Sequence, residues 1–468
     1  MRRTPRPTPL ARRTLVATAI AAAAFMALPT AMASAAPSGA EPLDTAPVSV
    51  DAPVDELIIG YDAPASAPDA EQLVAESSVD VAVTDVAPVA TGSEVVALDA
   101  AVSGAELDAL VAELEAVDGV AYVEPNAMMT IAQTNDPGYG QLWGLQDGPT
   151  GIDAPGAWTE SRGAGAVVAV LDTGITSHPD LNPNVLPGYD FVSNASAARD
   201  GNGRDANPAD QGDWSAANEC QPNSAARNSS WHGTHVAGTI AAVGDNGQGV
   251  VGAAYEARIV PVRVLARCGG STTDIADAII WAAGGSVSGV PANANPADVI
   301  NLSLGGAGSC STTTQRAIDT AVARGATVVV AAGNSNANAS GFNPANCRNV
   351  VTVAATDIGG NRAFYSNYGT TVDISAPGGE SAVRGEGILS TLNTGTTTPG
   401  SPSYAEYQGT SMATPHVAGV VALLAATEPG LTPAQIEQRL RATAASIPAC
   451  SGGCGAGLVD AAAALAAG

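Results

Sequence analysis

The sequence predicts an α/β protein, a mostly parallel sheet with helices on both faces, preceded by a small α+β unit. Three observations predict it. Short, unbroken, β-branched runs recur at residues 166–171, 259–265, 299–304, 327–332, 350–354 and 372–374, as expected of strands covered on both faces. Helix-length stretches with capping residues fall between these runs. Ahead of them, residues 57–123 follow a shorter order: strand, helix, strand, strand, helix, strand. In a sheet of alternating strands and helices, function gathers at the carboxyl ends of the strands.

Taken in order, the chain opens on a leader. Arg2, Arg3, Arg6, Arg12 and Arg13 form a basic start, and residues 14–28 an apolar stretch too short to cross a bilayer with ease. Ala31-Met32-Ala33 and Ala33-Ser34-Ala35 each offer a small-residue cleavage site, so a removed export signal over residues 1–36 is expected rather than an anchor. No later stretch reads as a membrane span, which leaves a secreted, extracellular product without a membrane partner once the signal is removed. Residues 37–133 hold 19 acidic residues and no basic one. After an Ala/Pro-rich lead they offer strands at 57–61, 79–86, 94–98 and 120–123 and helices at 69–76 and 103–116. The second helix sets Leu107, Leu110, Val111 and Leu114 on one face.

From residue 134 the alternating pattern begins. A helix over 274–283 has Thr272-Thr273 as capping candidates, and one over 313–324 stops at Gly325, a suitable residue just past a helix end. Thr432-Pro433-Ala434-Gln435 reads as an N-cap, a first-turn proline and a capping-box glutamine. With 468 residues there is room for two or three units. A formal charge of −26, a pI near 4.2 and no lysine argue against nucleic acid or an acidic membrane as partner.

Three stretches carry chemistry. The run Val168-Ala169-Val170-Leu171 ends at Asp172-Thr173-Gly174. His232-Gly233-Thr234-His235 opens a helix of small residues. Gly409-Thr410-Ser411-Met412-Ala413 brings a serine to the head of an apolar helix. Taken singly, the serine reads as an N-cap and the aspartate as a turn former. Together they place acid, base and hydroxyl at element ends, where a fold can assemble them, and a serine hydroxyl needs such a base to attack. The order Asp, His, Ser differs from that of chymotrypsin-like enzymes and α/β-hydrolases.

With Ala331-Ala332-Gly333-Asn334, these stretches closely resemble the subtilisin-like serine proteases, or subtilases, over residues 140–468. The resemblance implies a subtilisin-like fold and a secreted serine endopeptidase acting on proteins or peptides through an acyl-enzyme. Ser411 would be the nucleophile, His232 the base, Asp172 its orienting acid and Asn334 the donor to the oxyanion. Ser303, Leu304 and Gly305, with Gly269 and Gly270, match the family's two substrate segments, between which a peptide lies as an added strand. Residues 37–133 would be a propeptide, an inhibitor and folding assistant removed by self-cleavage near Gln133. The remainder, 134–468, would be the catalytic domain, expected to be a monomer. Two rivals are an esterase-type serine hydrolase and a catalytically silent binding protein. Against the first, the only histidine after Ser411 is His416, five residues on. His178, His235 and His416 read as structural residues.

Two further expectations concern stability. The stretch Asp200-Gly201-Asn202-Gly203-Arg204-Asp205, continued through Asp210 and Asp213, is rich in oxygen ligands and suggests a structural calcium ion, with a solvated acidic loop as the alternative. Six cysteines suit an oxidising compartment. They allow 15 pairings, of which pairs between sequence neighbours are favoured: Cys220–Cys268, Cys310–Cys347 and Cys450–Cys454.

Overall fold

A computed structural model describes residues 54–62, 68–126, 134–447, 450 and 453–468. The expected signal, the lead that follows it and the expected cleavage point at Gln133 lie outside the described residues.

The first unit comprises β1 (Val54–Tyr61), α1 (Ala70–Ala75), β2 (Val83–Pro88), β3 (Glu94–Val102), α2 (Gly104–Glu115) and β4 (Val120–Pro125). Its four strands form an antiparallel sheet in the order β2-β3-β1-β4. Alternate residues Leu57 and Ile59 of β1 and Val96 and Leu98 of β3 meet Leu107, Leu110 and Leu114 of α2 in one core. The element order is the expected one. β2 starts at Val83 rather than at 79, because Asp99 accepts the Ala82 N–H with its side chain.

The larger unit continues with α3 (Ala154–Trp158), β5 (Val167–Asp172), β6 (Tyr189–Asp190), α4 (Ala195–Ala198), α5 (His232–Ala241), β7 (Arg258–Arg263) and α6 (Thr272–Ala282). It goes on through β8 (Val299–Leu302), β9 (Gly306–Ala307), α7 (Thr312–Ala323), β10 (Thr327–Ala331), β11 (Phe342–Asn343), β12 (Val351–Thr356) and β13 (Ile374–Pro377). It closes with the hairpin β14 (Ile388–Asn393) and β15 (Pro402–Tyr407), then α8 (Thr410–Thr427), α9 (Pro433–Thr443) and α10 (Ala461–Ala466).

Seven strands make one sheet in the order β13-β12-β10-β8-β5-β7-β6, and every neighbouring pair is parallel. Side chains alternate between two cores. Val168 and Val170 of β5 join the layer of α5 and α8, while Ala169 and Leu171 join that of α6 and α7. From β5 the chain moves out to β6 and β7 on one side and returns to β8 on the other. Such a reversal opens a crevice at the strand carboxyl ends. β5, β7, β8 and β10 all end there.

Helix starts are set by caps. The side chain of Ser271, rather than Thr272 or Thr273, accepts the Asp274 N–H ahead of α6, and Ser311 does the same for α7. Thr432 and Gln435 form the expected capping box. α8 is long and apolar enough to pass for a membrane span, yet 78% of it is buried within the fold, as befits a central core helix. The three disulfides are Cys220–Cys268, Cys310–Cys347 and Cys450–Cys454, with Cα separations of 5.2, 5.1 and 6.2 Å.

Candidate active site

Asp172 is the last residue of β5 and is fully buried. Its Oδ1 accepts the Thr173 N–H at 2.7 Å, and His232 Nδ1 lies 2.8 and 2.9 Å from its two oxygens. His232 is the first residue of α5. The preceding Trp231 takes the left-handed conformation at φ 49°, is buried, and donates its indole N–H to Gly395 O at 2.6 Å. Helix and strand can meet so closely only because Gly233 has no side chain: a Cβ there would lie 2.2 Å from Gly174 O and 3.1 Å from Asp172 Cβ.

Burial pulls the His232 pKa down, but the charge of Asp172 and its hydrogen bond outweigh that. With help from Asp213 and Asp210, they hold the pKa above the ordinary 6.5. Burial shifts the remaining histidines toward the neutral form. Burial lowers His235 to about 3 and His416 to about 4, and it also lowers His178. His235 stacks on Tyr407 with Nε2 on Ala405 O. His416 Nδ1 pairs with Met412 O, and His178 Nε2 with Ser403 O.

Ser411 is the second residue of α8. Its hydroxyl donates to Ser303 O at 3.1 Å, and no hydrogen bond joins it to His232 in this conformation. Both nevertheless line one cleft of about 930 Å³. Pro415 lies within α8 and lacks the N–H that would bond Ser411 O. The Ser303 hydroxyl takes that carbonyl instead, at 2.8 Å, fastening the serine's backbone to the end of β8. Asn334 follows β10. Its Oδ1 accepts both the N–H and the hydroxyl of Thr410, at 2.8 and 2.9 Å, which turns its NH₂ the other way. The Ser411 N–H, in the first turn of α8, takes no partner among the described residues.

Ser303, Leu304, Gly305, Gly269 and Gly270 all line the cleft, with Asn334, His232 and Ser411. Gly306 and Ala307 pair with Phe342 and Asn343 to stiffen one wall, and the Cys220–Cys268 bridge ties the other wall to the loop ahead of His232. Thr410 was missed by sequence reasoning, although its hydroxyl orients Asn334; its place beside the serine was the available signal.

The four aspartates named for calcium, Asp200, Asp205, Asp210 and Asp213, form no shared ligand cluster among the described residues, which hold no group of three or more His, Cys, Asp or Glu side chains able to bind a metal. Of the four, only Asp200 meets an arginine among the described residues. Arg263 Nη1 reaches Asp190 at 2.7 Å and Asp200 at 3.2 Å, while Arg204 bridges Asp274 and Asp277. Asp205 accepts the Asn207 N–H and the Asn202 amide, Asp210 the Gly212 N–H, and Asp213 the N–H and hydroxyl of Ser230. This donor set does not fit the six to eight oxygens calcium requires.

The sequence profile of the "Subtilase family" matches residues 163–457. An extracellular protease of Xanthomonas campestris pv. campestris is 57% identical over 399 residues, 85% of this chain and 68% of that protein. An extracellular basic protease of Dichelobacter nodosus is 48% identical over 363 residues, 75% of this chain and 58% of that protein. Among solved structures, a protease from Pseudoalteromonas arctica is 58% identical with a TM-score of 0.71, covering 72% of this chain and 99% of its own.

Proposed function

The chain belongs to the subtilase family of serine proteases, and from that premise we propose that it is a secreted endopeptidase working through Asp172, His232, Ser411 and Asn334. The observation that carries this reading is the pair of His232 Nδ1 and Asp172 at 2.8 Å, opening on the cleft that also holds the Ser411 hydroxyl. A turn about the Ser411 Cα–Cβ bond exchanges Ser303 O for His232 Nε2, a step that catalytic hydroxyls commonly complete only when substrate is bound. His232 then takes the hydroxyl proton as Ser411 attacks the scissile carbonyl. The same imidazolium returns the proton to the leaving amine, and Asp172 holds the tautomer and balances the charge. The Asn334 NH₂ and the Ser411 N–H donate to the tetrahedral oxygen. Water repeats the cycle to free the acyl group. The peptide lies between Gly269–Gly270 and Ser303–Gly305. Residues 1–36 are the proposed signal, 37–133 the propeptide that first occupies the enzyme, and 134–468 the mature catalytic domain. Cleavage of casein, with fluorophosphonate labelling at Ser411, tests the reading; labelling at another residue would sink it.

Two outcomes follow from the geometry. Only neutral His232 can accept a proton, so the acid limb of kcat/KM for an uncharged peptide should lie above pH 6.5. The sign for stability is opposite. A histidine raised by its partner stabilises the fold below the unfolded pKa and loses that contribution as pH rises through the folded one. A limb at or below 6.5 would contradict the Asp172 coupling. Separately, Asn334→Ala should lower kcat by about 10²–10³ with little change in KM, the magnitude seen for an oxyanion asparagine in subtilisin. A fall of less than tenfold in steady-state kcat would remove Asn334 from that role.

A further inference from the structure

Asp213 carries the only carboxylate among the residues lining the cleft, and no arginine lines it. It sits at the histidine end, bonded to Ser230 just ahead of His232. Its orientation is fixed. Oδ1 accepts the Ser230 N–H at 2.6 Å and Oδ2 the Ser230 hydroxyl at 2.9 Å, two residues before His232. Ser230 is held in turn by the Tyr407 hydroxyl on its carbonyl at 2.7 Å. Arg199, the nearby cation, is spent elsewhere. It donates to Gly212 O and Trp214 O on either side of Asp213 and stacks 3.8 Å over the Trp214 ring. Asp213 therefore joins no ion pair among the described residues, and its two Ser230 bonds leave lone pairs free to accept more.

We infer that Asp213 is a specificity residue, selecting substrates with a cationic side chain next to the scissile bond on the His232 side. The inference rests on the endopeptidase reading and names its substrate class. A rigid, partly exposed wall bearing one negative charge favours an arginine or lysine there and rejects a glutamate by like-charge repulsion. The rest of the lining carries no carboxylate and no arginine, so the selection is confined to the Asp213 side.

The test is a set of fluorogenic peptides of one sequence. Arg, Gln or Glu is placed at each position in turn, from the third residue before the scissile bond to the second after it. At one position the wild-type kcat/KM for Arg over Gln should be about fivefold, the size expected of a partly exposed ion pair, with Glu below Gln. Asp213→Asn should bring that ratio below about twofold. The ratio is read within each enzyme, so a partly folded variant still reports. Asp147→Asn removes an equal charge from an exposed loop outside the cleft and should leave the ratio intact. In the wild type alone, added salt should shrink the preference. No preference at any position, or one that survives Asp213→Asn, overturns the inference, as does an equal loss in Asp147→Asn. Failure to cleave any peptide would instead overturn the endopeptidase reading.

Discussion

Ser411→Ala should abolish turnover and leave the chain as an uncleaved precursor. Removing the nucleophile of subtilisin lowers kcat by about 10⁶, and the same loss is expected here. The substitution is structurally mild. The hydroxyl donates only to Ser303 O, and alanine suits the first turn of a helix. The backbone bond from the Ser303 hydroxyl to residue 411 O is untouched. Folding should therefore survive while chemistry does not. On a gel, the secreted variant should run about 97 residues longer than the mature enzyme, the length from residue 37 to 133. A trace of wild-type enzyme should restore the shorter form. Retention of more than about 1% of wild-type kcat, or normal processing in pure variant, would show that another group attacks.

Arg263→Ala should be the most damaging single change to stability. The guanidinium ends β7 opposite Asp172, passes beneath Gly174, and is 1% exposed; its partners Asp190 and Asp200 are 0% and 9% exposed. It also donates to Ala198 O. Removing one member of a buried ionic group typically costs about 3–5 kcal/mol, because the partners keep their desolvation cost without compensation. The loss should depend on pH in a telling direction. Stranded carboxyls take raised pKa values, so the folded variant binds protons that the unfolded chain does not, and the deficit should narrow as pH falls. Calorimetry in the Ser411→Ala background, which prevents self-digestion, compares the pair. A melting point within about 2 °C of its parent at pH 8 would mean the site relaxes or admits water.

The strands of the parallel sheet were legible because each is an apolar run covered on both faces, and the proposed triad stood out because each member ends such a run or opens the next helix. Other features were hidden for physical reasons. In β14 and β15, polar residues such as Ser390, Thr391 and Glu406 interrupt the hydrophobic pattern. The acidic stretch 200–213 looks like a cation site in one dimension. Its Asp200 pairs instead with Arg263, which lies some sixty residues away at the end of an apolar strand where no charge is expected. Local sequence showed Asp213 as one acid among four; only the fold turns it toward Ser230 and the cleft. The rotamer of Ser411 depends on Ser303, 108 residues earlier, and has no sequence signature.

The bridge from Cys220 to Cys268 makes the chemical milieu a component of the enzyme. It closes a separation of 48 residues and pins the Asp213-bearing loop to the rim at Gly269. The chain-entropy view assigns such a closure about 4 kcal/mol. In the reducing interior of a cell the bond does not persist. On the proposed export route the grip on a peptide is thus completed only after departure. On the same proposal, the timing of oxidation would shield the host as well as the proposed propeptide.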